Sequence, residues 1–142
     1  MKSGGMKVGG MTAEETIRRY YAAFNARDWA GMTALLTEDV AHDVCQGGRE
    51  TGRAAFAKFL AHMDRCYRET VRDLVVMAAA DGARAAAEFE LDGEYLATDG
   101  PHPPARGQRY TLRVGAFFDL ADGKIARVSN HYNVKAWLDQ VR

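Results

Sequence analysis

The stretch Tyr110-Thr-Leu-Arg-Val-Gly-Ala-Phe-Phe-Asp-Leu-Ala-Asp-Gly-Lys-Ile-Ala-Arg-Val-Ser-Asn-His-Tyr-Asn133 decides the fold. Tyr110, Leu112, Val114, Ala116 and Phe118 occupy alternate positions, the period of a strand with one buried face. Asp122-Gly123 then supplies residues that tolerate positive φ, which a tight hairpin turn requires, and Lys124–Asn133 returns as the next strand. Strands joined by so short a turn pair antiparallel. The same signal recurs upstream. Asp81-Gly82 separates a strand over Leu74, Val75, Val76 and Met77 from one with Ala85, Ala87, Phe89 and Leu91 on one face and Ala86, Glu88, Glu90 and Asp92 on the other. Residues 97–108 hold all three prolines, Pro101, Pro103 and Pro104, and read as a loop. The chain closes on a short helix with Val134, Trp137, Leu138 and Val141 facing inward.

The N-terminal half has the longer period of helices. Thr12-Ala-Glu-Glu15 is a capping box, after which Ile17, Tyr20, Tyr21 and Phe24 mark one apolar helical face. Asp28 caps a short second helix carrying Trp29, Met32, Leu35 and Leu36, which Thr37-Glu-Asp39 ends. Val40–Gln46 is β-prone and bounded by Gly47-Gly48. Thr51 and Gly52 open a third helix lined by Phe56, Phe59, Leu60, Met63 and Tyr67. The order is three helices with one strand between the second and third, then four strands and a terminal helix. A curved sheet wrapped around the long helices, an α+β architecture, is the compact solution. Residues 1–11 are set apart as a flexible leader, leaving 12–142 as the domain.

Composition narrows the function classes. The 142 residues suit one domain. Lys plus Arg and Asp plus Glu are each 19, so the positive excess that a nucleic-acid partner demands is missing. No apolar run is long enough for a membrane span. Cys45 and Cys66 have no metal-ligand or Cys-x-x-Cys spacing and are expected as reduced thiols in a cytoplasmic protein.

Four segments carry a resemblance: Arg19-Tyr-Tyr-Ala-Ala-Phe-Asn-Ala-Arg-Asp28, Leu35-Leu-Thr-Glu-Asp-Val40, Gly52-Arg-Ala-Ala-Phe56 and Asp122-Gly-Lys-Ile-Ala-Arg127. They resemble the ketosteroid isomerase and SnoaL-like branch of the NTF2-like superfamily, over roughly residues 12–142. The resemblance implies an NTF2-like cone that packs as a homodimer through its outer sheet face. It also implies an apolar conical pocket for a small hydrophobic molecule, with Phe24, Trp29, Phe59, Met63, Phe89, Phe117, Tyr132 and Asn133 available to line it. The same apolar residues serve as ordinary core, and for each one taken alone core is the better reading. The proline and glycine content of the 97–108 loop suits a lid over the mouth, and equally the more common case of a solvent-exposed hairpin connection.

In the isomerases of that branch a carboxylate takes a proton beside a carbonyl, while protonated donors stabilise the enolate oxygen. The resemblance implies Tyr20 as one donor, eight residues before Asp28, and Asp43 as the base, nine residues before Gly52. Counted from Asp39 instead, the base position falls on Val44. The face that this strand presents therefore decides between Asp43 and His42, because a one-residue slip exchanges them. His42 is the alternative acid or base. The family's second donor position falls on Gly115, and Asn133 stands where many SnoaL-like enzymes carry an acid. Arg113 and Asp119 are available to epoxide hydrolase-like chemistry, though the pattern does not single them out. The expected function is proton transfer next to a carbonyl, with no metal and no cofactor. The alternatives are a non-catalytic ligand-binding or dimerisation protein, and a SnoaL-like cyclase, hydrolase or dehydratase using His42 and Asp43.

Overall fold

The computed structural model describes residues 7–8 and 11–142. In chain order the elements are β1 (Lys7–Val8), β2 (Met11–Thr12), α1 (Ala13–Asn25), α2 (Trp29–Ala34), β3 (Leu36–Asp43), β4 (Arg49–Thr51), α3 (Arg53–Cys66), β5 (Tyr67–Ala78), β6 (Arg84–Tyr95), β7 (Arg109–Ala121), β8 (Lys124–His131) and α4 (Val134–Val141). β1 and β2 form a two-stranded ribbon, so part of the expected leader is paired; its other residues, apart from Met11, lie outside the described residues.

The helix starts follow their sequence signals. Thr12 accepts from the Glu15 amide and Glu15 accepts from the Thr12 amide, the reciprocal pair that satisfies the first free donors of α1. Asp28 caps α2 through the Gly31 amide. Gly52 stands before α3 at φ 103°, in the left-handed region that glycine adopts without cost. At the β7–β8 turn Asp122 and Gly123 both take positive φ, the pair a tight hairpin needs.

Six strands form one sheet in the order β4-β3-β8-β7-β6-β5. All neighbours are antiparallel except β3 and β8, which run parallel. The sheet is thus mixed, curved and unclosed, with α1 packed against β5 and β6 in its concavity. Tyr20 and Tyr21 of α1 meet Phe118 and Phe89 of the sheet, with ring centroids 5.6 and 4.9 Å apart. Rings buried this way supply the largest apolar contributions to the core, about 1.5–3 kcal/mol each from area alone.

Three boundaries differ from the sequence reading. The second helix stops at Ala34, and Leu36 already belongs to β3, because the Leu35 carbonyl accepts the Ile125 amide and draws the chain into the sheet. A short strand, β4, follows β3 and takes up Thr51, which was expected to open the third helix. The third helix ends at Cys66 and β5 begins at Tyr67, seven residues before the expected strand. No loop separates them. The Cys66 carbonyl, left free by the helix end, accepts the amides of Leu96 and Ala97, so the chain just past β6 terminates the helix.

Candidate functional site

α1, α3 and the concave sheet face enclose a cavity of about 390 Å³. Its wall is mostly apolar: Phe24, Phe56, Phe59, Met63, Phe89 and Leu112 all reach it. That matches the general form of a small-molecule site, an apolar pocket with few polar groups.

One carboxyl stands in the wall. Glu69 of β5 shares its face with Tyr67 and Val71, by the two-residue period of a strand. Glu69, Gly93 and Tyr110 are paired in one row across β5, β6 and β7. A Cβ at Gly93 would lie 2.2 Å from the Tyr110 ring, so the missing side chain is what lets that ring lie across β6. The Tyr110 hydroxyl thereby donates to Glu69 Oε2 at 2.5 Å. Burial raises the Glu69 pKa above the usual carboxylate range, against the opposing pull of the Tyr110 hydrogen bond and the Arg27 charge. A carboxyl held nearer neutrality in an apolar cavity can both accept and return a proton.

Three further tyrosines line the same cavity. The Tyr132 pKa is pushed up to about 12 by burial first, then by Cys45, Glu69 and Asp99, which keeps this phenol a hydrogen-bond donor at the mouth. Tyr20 and Tyr21 line the inner end, and burial raises both. The Tyr21 hydroxyl is buried without a hydrogen-bond partner among the described residues. Such a group costs about 1–3 kcal/mol until an acceptor arrives.

A second polar cluster sits at the mouth. Asp99, on the proline loop, accepts from Tyr67 Oη at 2.6 Å and from His62 Nε2 at 2.7 Å. The Arg65 guanidinium faces His62 Nδ1 at 3.1 Å. A guanidinium can only donate, so Nδ1 accepts and Nε2 carries the proton given to Asp99. Burial alone would raise Asp99, but the bonds from Tyr67 and His62 hold it below its ordinary value. The loop is fixed again by Tyr95, whose hydroxyl donates to the Pro103 carbonyl at 2.7 Å and accepts from the Asp99 amide at 3.0 Å.

Of the residues expected from sequence, Tyr20, Phe24, His42, Phe59, Met63, Phe89 and Tyr132 line the cavity, and four do not. Asp43 lies on the opposite face of β3 from His42. There Arg49 holds it with two bonds of 2.7 and 3.0 Å, and Arg127 with one of 3.3 Å. The Arg49 bond, aided by Arg127, depresses its pKa, the reverse of what a neutral-pH base needs. Asp43 is therefore corrected from cavity base to outer-face ion pair, and it does not meet Tyr20. Phe117 is 49% exposed, because Ala116 and Phe118 take the inward positions of β7. Asn133 caps α4 through the Ala136 amide. Trp29 packs on Phe24, with ring centroids 5.8 Å apart, behind the cavity wall. His42 is enclosed by Phe56 and Phe59, at 4.9 and 4.5 Å. Burial lowers its pKa against the pull of Glu50 and Asp43, so it is neutral at pH 7; its Nδ1 makes no hydrogen bond among the described residues, and Glu50 Oε1 lies 3.9 Å away.

The family description for a SnoaL-like domain matches residues 17–128. The chain belongs to the SnoaL-like family. This SnoaL-like chain also superposes on solved structures. It is 56% identical to a proposed polyketide cyclase from Pseudomonas putida KT2440, over 94% of this chain and 100% of that one, with a TM-score of 0.93. It is 52% identical to one from Xanthomonas campestris pv. campestris, over 92% and 96%, at 0.89. It is 50% identical to one from Silicibacter sp. TM1040, over 92% and 96%, at 0.90. No curated protein matches. No helix among the described residues is long and apolar enough to cross a membrane.

Sequence reasoning missed Glu69, Tyr110 and Asp99 in this SnoaL-like site. The first had a usable signal: Tyr67, Glu69 and Val71 alternate, which puts a carboxyl on an otherwise apolar face.

Proposed function

We propose that this SnoaL-like protein is an acid–base enzyme that moves a proton beside a carbonyl of a small hydrophobic substrate, with Glu69 as the base. The observation that carries the reading is the Glu69 carboxyl, half-buried in an apolar cavity wall and hydrogen-bonded by Tyr110. In its ionised form Glu69 takes the proton from the carbon next to the carbonyl. The enolate oxygen then accepts from a protonated tyrosine, for which Tyr132, in the cavity lining, is available. Such donors are already oriented and need no reorganisation when the charge forms. From the enolate, Glu69 returns the proton to a different carbon, or the carbanion attacks a second carbonyl of the same molecule and closes a ring, the π bond of that carbonyl opening to an alkoxide that takes the proton back from Glu69. The names of the solved relatives favour ring closure.

The test needs no knowledge of the natural substrate. Hydrophobic ketones and β-diketones are incubated with the protein in heavy water, and loss of the α-proton signal is followed by NMR. Wild type accelerates exchange, and Glu69→Gln loses about a hundredfold or more of that acceleration. Exchange no faster than buffer, or equally fast in Glu69→Gln, refutes the reading.

The reading includes a homodimer through the outer sheet face. Val75, Met77 and Phe117, each about half exposed, cluster there as apolar surface. Light scattering on wild type and Phe117→Asp checks it: the first runs as a dimer and the second as a monomer.

A further inference from the structure

We propose that His62, Cys66 and Asp99 form a binding site for a divalent transition-metal ion of the zinc type at the mouth of the cavity. His62 and Cys66 stand four residues apart on α3, so one helical turn stacks them on one face. Asp99 comes to them from the proline loop. One donor atom from each residue lies within 4.8 Å of the other two. Ligand bonds of about 2.0–2.3 Å bring the donors around one zinc ion to roughly 3.3–3.8 Å apart. His62 Nε2 and Asp99 Oδ1, now 2.7 Å apart, must part by about 0.6 Å to admit the ion, giving up their hydrogen bond, and the third donor closes by at most about 1 Å; both movements are within reach of side-chain rotation on a loop and a helix face.

The surroundings are built for ligation. The two carboxylate oxygens of Asp99 have different partners. Tyr67 fixes Oδ2, and Oδ1 is left pointing at His62. An outer hydrogen bond of this kind orients a metal-binding carboxylate. Cys66 is buried, with its thiol in no disulfide. Thiolate, imidazole and carboxylate together suit zinc and its neighbours and exclude magnesium and calcium as preferred occupants. Three protein ligands leave a fourth position. His62 and Asp99 both line the cavity, so that position opens inward, and His102 lines the same mouth.

The proton balance is simple. Cys66 gives up its thiol proton on binding. His62 stays neutral, but its proton passes from Nε2 to Nδ1, so the bond from Arg65 is released. One proton leaves per ion bound. The His62–Cys66 spacing is in the sequence, but Asp99, 33 residues further on, joins the pair only in the fold.

The probe is cobalt(II), added to protein stripped with chelator under reducing conditions. Wild type gives a saturable, one-to-one near-ultraviolet thiolate-to-cobalt charge-transfer band, which zinc removes by displacement. Cys45→Ser keeps the band and Cys66→Ser abolishes it, with circular dichroism confirming that both variants are folded. His62→Ala, at a half-exposed position whose loss leaves the core intact, weakens cobalt binding about tenfold or more. No band in wild type, a band that survives Cys66→Ser, or an unchanged affinity in His62→Ala overturns the proposal. These readouts do not involve Glu69 or turnover, so they stand or fall apart from the proton-transfer reading.

Discussion

Tyr110→Phe tests how the Glu69 carboxyl is set. The substitution removes one oxygen and leaves the ring lying across Gly93. The lost bond is a 2.5 Å hydrogen bond to a group that is charged when ionised, and Tyr110 is only 4% exposed, so water cannot readily replace it. Bonds of that kind contribute about 1.5–3 kcal/mol to the charged form, or about ten- to a hundredfold in the ionisation equilibrium. The donor stabilises the carboxylate, so its removal raises the Glu69 pKa further. The effect on stability follows by linkage. A carboxyl whose folded pKa lies above its unfolded value of about 4.3 binds more protons when folded. Its contribution is therefore fully present below that value and is lost as pH rises through the folded pKa. Tyr110→Phe deepens this loss at neutral pH and barely alters stability at pH 4. The assay is a carbon-13 NMR titration of the glutamate side chains, with urea midpoints taken across the same pH range. A Glu69 midpoint that stays put or moves down refutes the assigned geometry, and so does a stability loss equal at pH 4 and pH 8.

Three further outcomes follow from the contacts described. Asp43→Asn breaks the outer-face bonds to Arg49 and Arg127 yet leaves α-proton exchange at the wild-type rate; a large drop in exchange returns Asp43 to the chemistry. His42→Leu flattens the acid side of the stability curve. A buried histidine with a lowered folded pKa loses stability as pH falls below its unfolded value of about 6.5, so urea midpoints of wild type and variant should diverge there and run parallel above it. Phe118→Ala empties a fully buried position between α1 and β7 and costs about 3–5 kcal/mol by urea unfolding; a loss under about 1 kcal/mol shows that α1 does not pack there as described.

Much of the architecture was legible because its signals are local. The Thr12–Glu15 cap, the inward set Ile17, Tyr20 and Tyr21, the alternation from Tyr110 to Phe118 and the Asp122-Gly123 turn each appear in the structure as the sequence has them. The losses came where a long-range contact sets a boundary. Nothing in Leu35-Leu36 announces that Ile125 will capture the Leu35 carbonyl. Nothing at Cys66-Tyr67 marks a stop, because the acceptor is satisfied by Leu96 and Ala97, thirty residues on and just past the end of β6. The second boundary hid the site, since a helix carried through Tyr67 moves Glu69 out of the alternating run that aims it inward. The face of β3 was undecidable for a related reason. Val40, His42 and Val44 against Ala41, Asp43 and Cys45 offer no clean contrast in polarity, so only packing against Phe56 and Phe59 settles that His42 goes inside.

The parallel pairing of β3 with β8 has a consequence for how the chain is made. Residues 36–43 need a neighbour that is translated more than eighty residues later. Until then β3 has only the three-residue β4 beside it, and its other edge is an open template for any extended chain nearby. On the ribosome the first third of this protein is thus an unfinished surface awaiting its last strand, and slow synthesis between residues 52 and 124 should raise the share of chains lost to aggregates.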